Sequence, residues 1–222
     1  MKKFWGFLLV IVLMTSCGEY QSLLKSNDYN LVYKKAIEYY NKGDYQRAMN
    51  LLDGVRSVFV GQAKAQNIAY YRAFCSYNMK DYQIASDLFK QFIQTYPESS
   101  FAEECLYMMG FCDYKASPKP RLDQQVTEKA IREFQLYLSR YPYSMRKDKV
   151  NTYMDEMRDK LSYKAYLSAK NYYLREHYKA AVISLQNCLK DYPGSKYREE
   201  IMYMLFVSKS VSYTHLTLPT IR

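Results

Sequence analysis

Small residues in this chain recur with a tyrosine four positions later: Ala36 and Tyr40, Ala73 and Tyr77, Gly110 and Tyr114, Ala169 and Tyr173. Five residues further a second tyrosine stands in three of the four units (Tyr45, Tyr82, Tyr178). Three more bring an alanine (Ala48, Ala85, Ala181), joined by Ala130 in the third unit. Twelve residues after Ala85, Ala130 and Ala181 comes a proline that follows tyrosine and begins Pro-x-Ser: Pro97, Pro142 and Pro193. The first unit has Val60 where that proline would be. Internal self-similarity of this kind decides a fold before any single residue does.

The spacing has a direct physical reading. Positions four apart share one helix face. Alanine or glycine there lets two helices approach closely, and the tyrosines with Leu52 or Phe89 fill the space beside them. Gly43-Asp44-Tyr45 and Lys80-Asp81-Tyr82 read as tight turns between the two helices of a unit. Tyr-Pro ends the second helix, because proline biases the residue before it out of the helical region. Ser100 to Glu103 reads as a capping box that opens the next helix. Ala36, Ala48, Ala73, Ala85, Gly110, Ala130, Ala169 and Ala181 are therefore the predicted helix-crossing positions. The pattern resembles the tetratricopeptide repeat, with its small–aromatic–Ala–Pro signature. The fold that follows is all-α: a right-handed superhelix of αα-hairpins, about four and a half repeats long.

The phase slips twice. The small residue and the alanine are 12 apart in units 1, 2 and 4 but 20 apart in unit 3, so 8 residues are inserted. The insert holds Ser117-Pro118-Lys119-Pro120-Arg121, which predicts an exposed loop. Pro97 to Gly110 is 13 residues, whereas Pro142 to Ala169 is 27. Arg146 to Leu174 has neither proline nor glycine, which predicts one long helix dividing front repeats over 31–142 from back repeats over 143–210. A fifth unit begins after Pro193. A shift of 96 superposes Ser99, Glu103, Glu104, Tyr107 and Met108 on Ser195, Glu199, Glu200, Tyr203 and Met204. Residues 211–222 are β-branched and outside the pattern. Residues 213–222 are expected to be extended or poorly defined, with Tyr197 to Ser210 helical, and 211–222 to be a discordant tail foreign to the native chain.

The N-terminus reads as an export signal. Lys2-Lys3 precedes an apolar run from Phe4 to Met14, closed by the small residues Thr15 and Ser16 before Cys17. Those eleven apolar residues make about 16 Å of helix against a hydrocarbon core of roughly 30 Å. Leu13 to Cys17 resembles a lipobox, with Met14 where leucine is commoner. The resemblance implies a signal peptide over 1–16 and acylation of Cys17, followed by a linker over 17–30. No acidic residue adjoins Cys17, which by the same resemblance directs the chain to the periplasmic face of the outer membrane.

Composition supports helices. Seven Gly and six Pro in 222 residues supply few turns, and 26 Tyr suit half-buried faces and grooves. The net charge of +10 fits acidic partners, anionic headgroups or a plain solvated surface, and an exported chain is not expected to meet nucleic acid. Cys75, Cys105, Cys112 and Cys188 form no C-x-x-C pair, and His177 and His215 are the only histidines, so no metal or cofactor is expected. Buried free thiols are the simplest reading of the four cysteines. His177 falls in the turn of unit 4, near the counterparts of Asp44 and Asp81. No nucleophile elbow or phosphate loop occurs, so an enzyme is not expected.

Lipobox, short linker, Tyr33-x-x-Ala36, Gly43-Asp44-Tyr45 and the repeated Tyr-Pro-x-Ser together resemble the BamD (YfiO) family over roughly residues 13–210. The resemblance implies a non-catalytic adaptor of outer-membrane β-barrel assembly. Its front repeats would receive unfolded barrel substrates, and its back repeats would dock the barrel assembly protein. Tyr33, Tyr70, Tyr71, Arg72 and Tyr107, on first helices of the units, are the candidate groove residues, with packing as the competing role for each. Other readings compete: a lipid-anchored scaffold for cell-wall synthesis or division, and a small envelope ligand-binding lipoprotein or a glycan-binding one of the SusD type. The scaffold would be expected to carry a coiled-coil or wall-binding segment. SusD-type chains are much longer and have tryptophan-rich sites, and the one tryptophan, Trp5, lies in the signal.

Overall fold

The structure, a computed structural model, describes residues 19–217, with side chains described through 212. The signal peptide and Cys17 lie outside the described residues. Every regular element among the described residues is helical. A short helix α1 over residues 19–24 precedes α2 (Tyr29–Asn41), α3 (Tyr45–Val55), α4 (Ala63–Asn78), α5 (Tyr82–Thr95) and α6 (Ala102–Ala116). Then come α7 (Gln125–Arg140), α8 (Lys147–Leu174), α9 (Tyr178–Asp191) and α10 (Arg198–Thr217). The chain divides into two compact units between Ala116 and Ser117. The division falls at the inserted loop and not near residue 142, because α7 packs on α8 and belongs with the back repeats.

Within each unit consecutive helices pack in pairs, and the first helices of neighbouring pairs also touch, α2 with α4 and α8 with α10. That is the packing of a tetratricopeptide-like helical solenoid. The predicted crossing positions Ala36, Ala48, Ala73, Ala85, Ala130, Ala169 and Ala181 are all fully buried, and Gly110 is buried on α6. Leu51, Leu52, Val55 and Ile68 complete the first core cluster, and Leu185, Cys188 and Ile201 the last.

The turns explain the rest of the repeat. Three first helices, α2, α4 and α8, end in a Schellman motif, the N–H of the second residue past the cap reaching back to the third-last helical carbonyl. The bonds are Asp44 N–H to Tyr39 O at 2.9 Å, Asp81 to Ser76 and His177 to Tyr172, both at 3.0 Å. The motif needs a left-handed residue, and Gly43 (φ 82°), Lys80 (φ 69°) and Glu176 (φ 60°) fill it. The Tyr-Pro sites repeat as closely: Tyr96, Tyr141 and Tyr192 have φ from −131° to −127° and ψ from 61° to 66°. The serine of Pro-x-Ser then closes a small turn. Ser99, Ser144 and Ser195 each accept the N–H two residues on, at 3.2, 3.2 and 3.3 Å. Ser99 and not Ser100 makes the local bond, so the expected capping box gives way to this serine turn.

Three further expectations are adjusted. Residues 19–24 are not simple linker: Leu23 is buried in the first cluster, and Glu19 pairs with Lys35 at 3.0 Å, so α1 covers the open end of the first repeat. The insert is pinned rather than freely exposed: Lys160 Nζ donates to Ser117 Oγ (2.7 Å) and Lys164 Nζ to the Leu122 carbonyl (2.8 Å), both lysines coming from the long helix. Helix α10 runs to Thr217, so residues 213–217 are helical and not extended. No proline or glycine interrupts the chain between Gly194 and Pro219. Residues 218–222 lie outside the described residues.

Candidate functional site

In the first unit α2 contributes Tyr33, Lys34 and Ile37 to a groove, α4 contributes Tyr70 and Tyr71, and Phe101, just before α6, closes it. The groove holds a volume of about 530 Å³. Its floor is a run of rings in contact. Tyr40 meets Tyr71 edge-on at 4.9 Å, Tyr71 meets Tyr70 at 5.6 Å, and Tyr70 lies 4.7 Å from Phe101. Edge-to-face geometry suits the ring quadrupoles and fixes each ring against its neighbour. Lys64 lies 5.8 Å from the Tyr33 ring and donates to Asn30 Oδ1 at 2.6 Å.

Three of these phenols are shifted upward. Burial pushes the Tyr40 hydroxyl up to about 12. Burial first, then the bond to Glu104, raises Tyr70, and burial raises Tyr33. The lining is mixed, with Lys34, Glu38, Asn41 and Asn67 beside the rings. Such a surface suits an extended chain bearing aromatic and aliphatic side chains.

Tyr33, Tyr70 and Tyr71 are brought together; the other two candidates are not. Arg72 points away, its Nε 2.6 Å from Asp53 Oδ1, into a separate pocket with Leu88, Phe92 and Tyr96. One residue along a helix turns the side chain by about 100°, enough to leave the groove. Tyr107 is buried on α6 and stacks on Phe111 at 5.7 Å, so its ring serves packing. Lys34, Ile37 and Phe101 were not singled out from the sequence. Phe101 was open to detection, since it sits two residues before Glu103 in the stretch that repeats after 96 residues.

That repetition produces a second groove in the second unit, lined by Pro120, Arg121, Tyr163, Lys164, Tyr166 and Lys170 among others. Tyr166 stands 96 residues after Tyr70, and its hydroxyl donates to Glu200 at 2.7 Å as Tyr70 does to Glu104 at 2.8 Å. Tyr197, the counterpart of Phe101, stacks on Tyr166 at 4.4 Å. Lys170 adds a charge that the first unit lacks, donating to both Tyr166 (2.7 Å) and Glu200 (2.7 Å).

Among the described residues no group of His, Cys, Asp and Glu is placed to hold a metal ion, and no helix is long and apolar enough to cross a membrane. The four described cysteines are buried and free. No curated protein matches the chain. A family model described as outer membrane lipoprotein, YfiO, matches residues 25–218, which takes in all of α2 to α10, both grooves and the serine turns. The chain belongs to the YfiO (BamD) family of outer membrane lipoproteins.

Proposed function

We propose that this outer membrane lipoprotein is a non-catalytic adaptor in the insertion of β-barrel proteins. The observation that carries the reading is the aromatic strip of Tyr33, Tyr70, Tyr71 and Phe101 in the first unit, which fits an extended, aromatic-rich chain such as an unfolded barrel strand. Lys34, Glu38 and Asn41 in the same lining offer hydrogen bonds to a peptide backbone that has not yet found its sheet partner. The second unit docks the barrel assembly protein. Cys17 carries the acyl chains after removal of residues 1–16, and they hold the protein on the periplasmic face of the outer membrane. Several chains together anchor far more firmly than one.

The test is photocrosslinking from position 71 in cells, combined with a pull-down from detergent-solubilised membranes. Nascent barrel proteins on position 71 and a large outer-membrane barrel protein in the pull-down are the expected results. Recovery of wall-synthesis enzymes alone would replace this reading with that of a cell-wall scaffold. Labelling with an alkynyl fatty acid checks the anchor: equal labelling of wild type and Cys17→Ala would refute it.

A further inference from the structure

The three Tyr-Pro-x-Ser turns have one backbone. In each, the serine N–H returns to the tyrosine carbonyl: Ser99 to Tyr96 at 3.2 Å, Ser144 to Tyr141 at 3.2 Å, Ser195 to Tyr192 at 3.0 Å. The residues flanking the serine are Glu98 and Ser100 in the first turn, and Gly194 and Lys196 in the third. The middle turn carries Tyr143 and Met145 instead. Their exposures are 98% and 102%, the highest of the exposed large hydrophobics. Since the same turn forms with polar or small residues there, the fold does not require the aromatic ring and the thioether.

The turn that presents them is rigid. Ser144 Oγ accepts the Arg146 N–H at 3.2 Å and bonds the buried Tyr137 hydroxyl at 2.6 Å. Around it the charge is one-sided: Arg140, Arg146, Lys147 and Lys149 against Asp148. The same asymmetry holds for the whole unit. From Cys17 to Ala116 there are eleven Lys and Arg against eleven Asp and Glu; from Ser117 onward there are nineteen against eleven. After loss of the signal, the entire positive excess belongs to the second unit.

We infer that the Tyr143–Met145 turn is an interfacial contact for an anionic phospholipid surface. Tyrosine prefers the headgroup level of a bilayer, methionine adapts to the acyl boundary, and neighbouring Lys and Arg are drawn to anionic headgroups. Two side chains on a tip form no pocket, and a stable protein interface would need about 1,000 Å² or more of complementary surface. A bilayer makes no such demand, and a lipoprotein of the outer membrane has one within reach of its anchor. The contact adds a second, electrostatic attachment to the lipidated cysteine and sets which face of the second unit meets the membrane.

The full mature chain with Cys17→Ser tests this without the lipid anchor. It lacks tryptophan, so Tyr143→Trp installs a single reporter at an exposed site. Vesicles of phosphatidylethanolamine with phosphatidylglycerol should shift its emission to the blue and allow quenching by brominated acyl chains; phosphatidylcholine vesicles should do neither. Lys147→Gln with Lys149→Gln should weaken partitioning about twenty-five-fold, roughly fivefold per charge. Tyr143→Ser with Met145→Ser should abolish sedimentation with the anionic vesicles while leaving thermal unfolding unchanged. Water-like emission from the Tyr143→Trp reporter in the presence of anionic vesicles would overturn the inference. So would a blue shift that appears only on adding a purified protein partner without lipid.

Discussion

Tyr70 donates its phenolic proton to Glu104 at 2.8 Å, across the step from one helix pair to the next. Tyr166 repeats the bond to Glu200 at 2.7 Å, and there Lys170 joins it. The second site is pH-sensitive in a defined direction. Lys170 first, then Tyr166, hold the Glu200 carboxyl below its ordinary value of 4.5, and the Glu200 bond raises the Lys170 ammonium above 10.5. A lowered carboxylate contributes stability that is complete above its unfolded value and lost as pH falls through its folded one. Glu200→Gln should therefore reduce the urea midpoint at pH 7, and the gap from wild type should close below about pH 4. The gap should be small, since both groups are substantially solvent-exposed. Equal gaps at pH 7 and pH 3 would show that the bond is not ionic.

Tyr70→Phe removes a hydrogen bond to a carboxylate in a half-buried site and should cost about 1 kcal/mol in chemical denaturation. The ring contact with Phe101 stays, so the far-ultraviolet circular dichroism should not change.

The Schellman turns offer a gain. Lys80 and Glu176 sit in left-handed backbone where the first unit has Gly43. A side chain there costs about 1 kcal/mol against glycine, less the entropy that glycine adds to the unfolded chain. Lys80→Gly and Glu176→Gly should each raise stability by about 0.5 kcal/mol, read as a higher melting temperature. Gly43→Ala should lower it, although no atom lies within 4 Å of the new Cβ, so the loss would be purely conformational.

Helix-pair order and turns were legible because each depends on local spacing. Ala36, Ala85 and Ala181 recur as a period, and all three are fully buried. The candidate groove was only half legible. Tyr70 and Tyr71 are adjacent to Arg72 in sequence, and nothing local distinguishes their directions from its own. The partner of Arg72, Asp53, lies on α3 nineteen residues earlier, in a helix that shares no motif position with it. Tyr107 matches the repeat as well as Tyr203 does, yet one is buried and the other 64% exposed, a difference that local spacing does not carry. The helicity of 213–217 was missed for a different reason: β-branched residues lower helix propensity by less than about 1 kcal/mol each, too little to stop a helix already nucleated.

Ala85→Leu tests the crossing geometry. Ala85 is fully buried on α5, beside Phe89 one turn away. The larger side chain has to push the helices apart or leave its preferred rotamer, at about 1–3 kcal/mol. An unchanged thermal midpoint would mean that position 85 does not face a neighbouring helix.

The four buried cysteines give a last prediction. Burial is the largest cause at three of them: it raises Cys188 and pushes Cys75 and Cys105 up to about 12. At Cys105 the nearby Glu104 adds to the rise, and at Cys75 Asp53 raises while Arg72 lowers. The thiolate is the reactive form, so a raised pKa and lost access act in the same direction. The folded chain carrying Cys17→Ser should therefore react negligibly with a thiol-disulfide reagent at pH 8. Four equivalents should appear on adding denaturant. A thiol that reacts in the native state would identify the repeat that opens most readily. Mass spectrometry of the labelled peptide would assign it to the first unit through Cys75, Cys105 or Cys112, or to the second through Cys188.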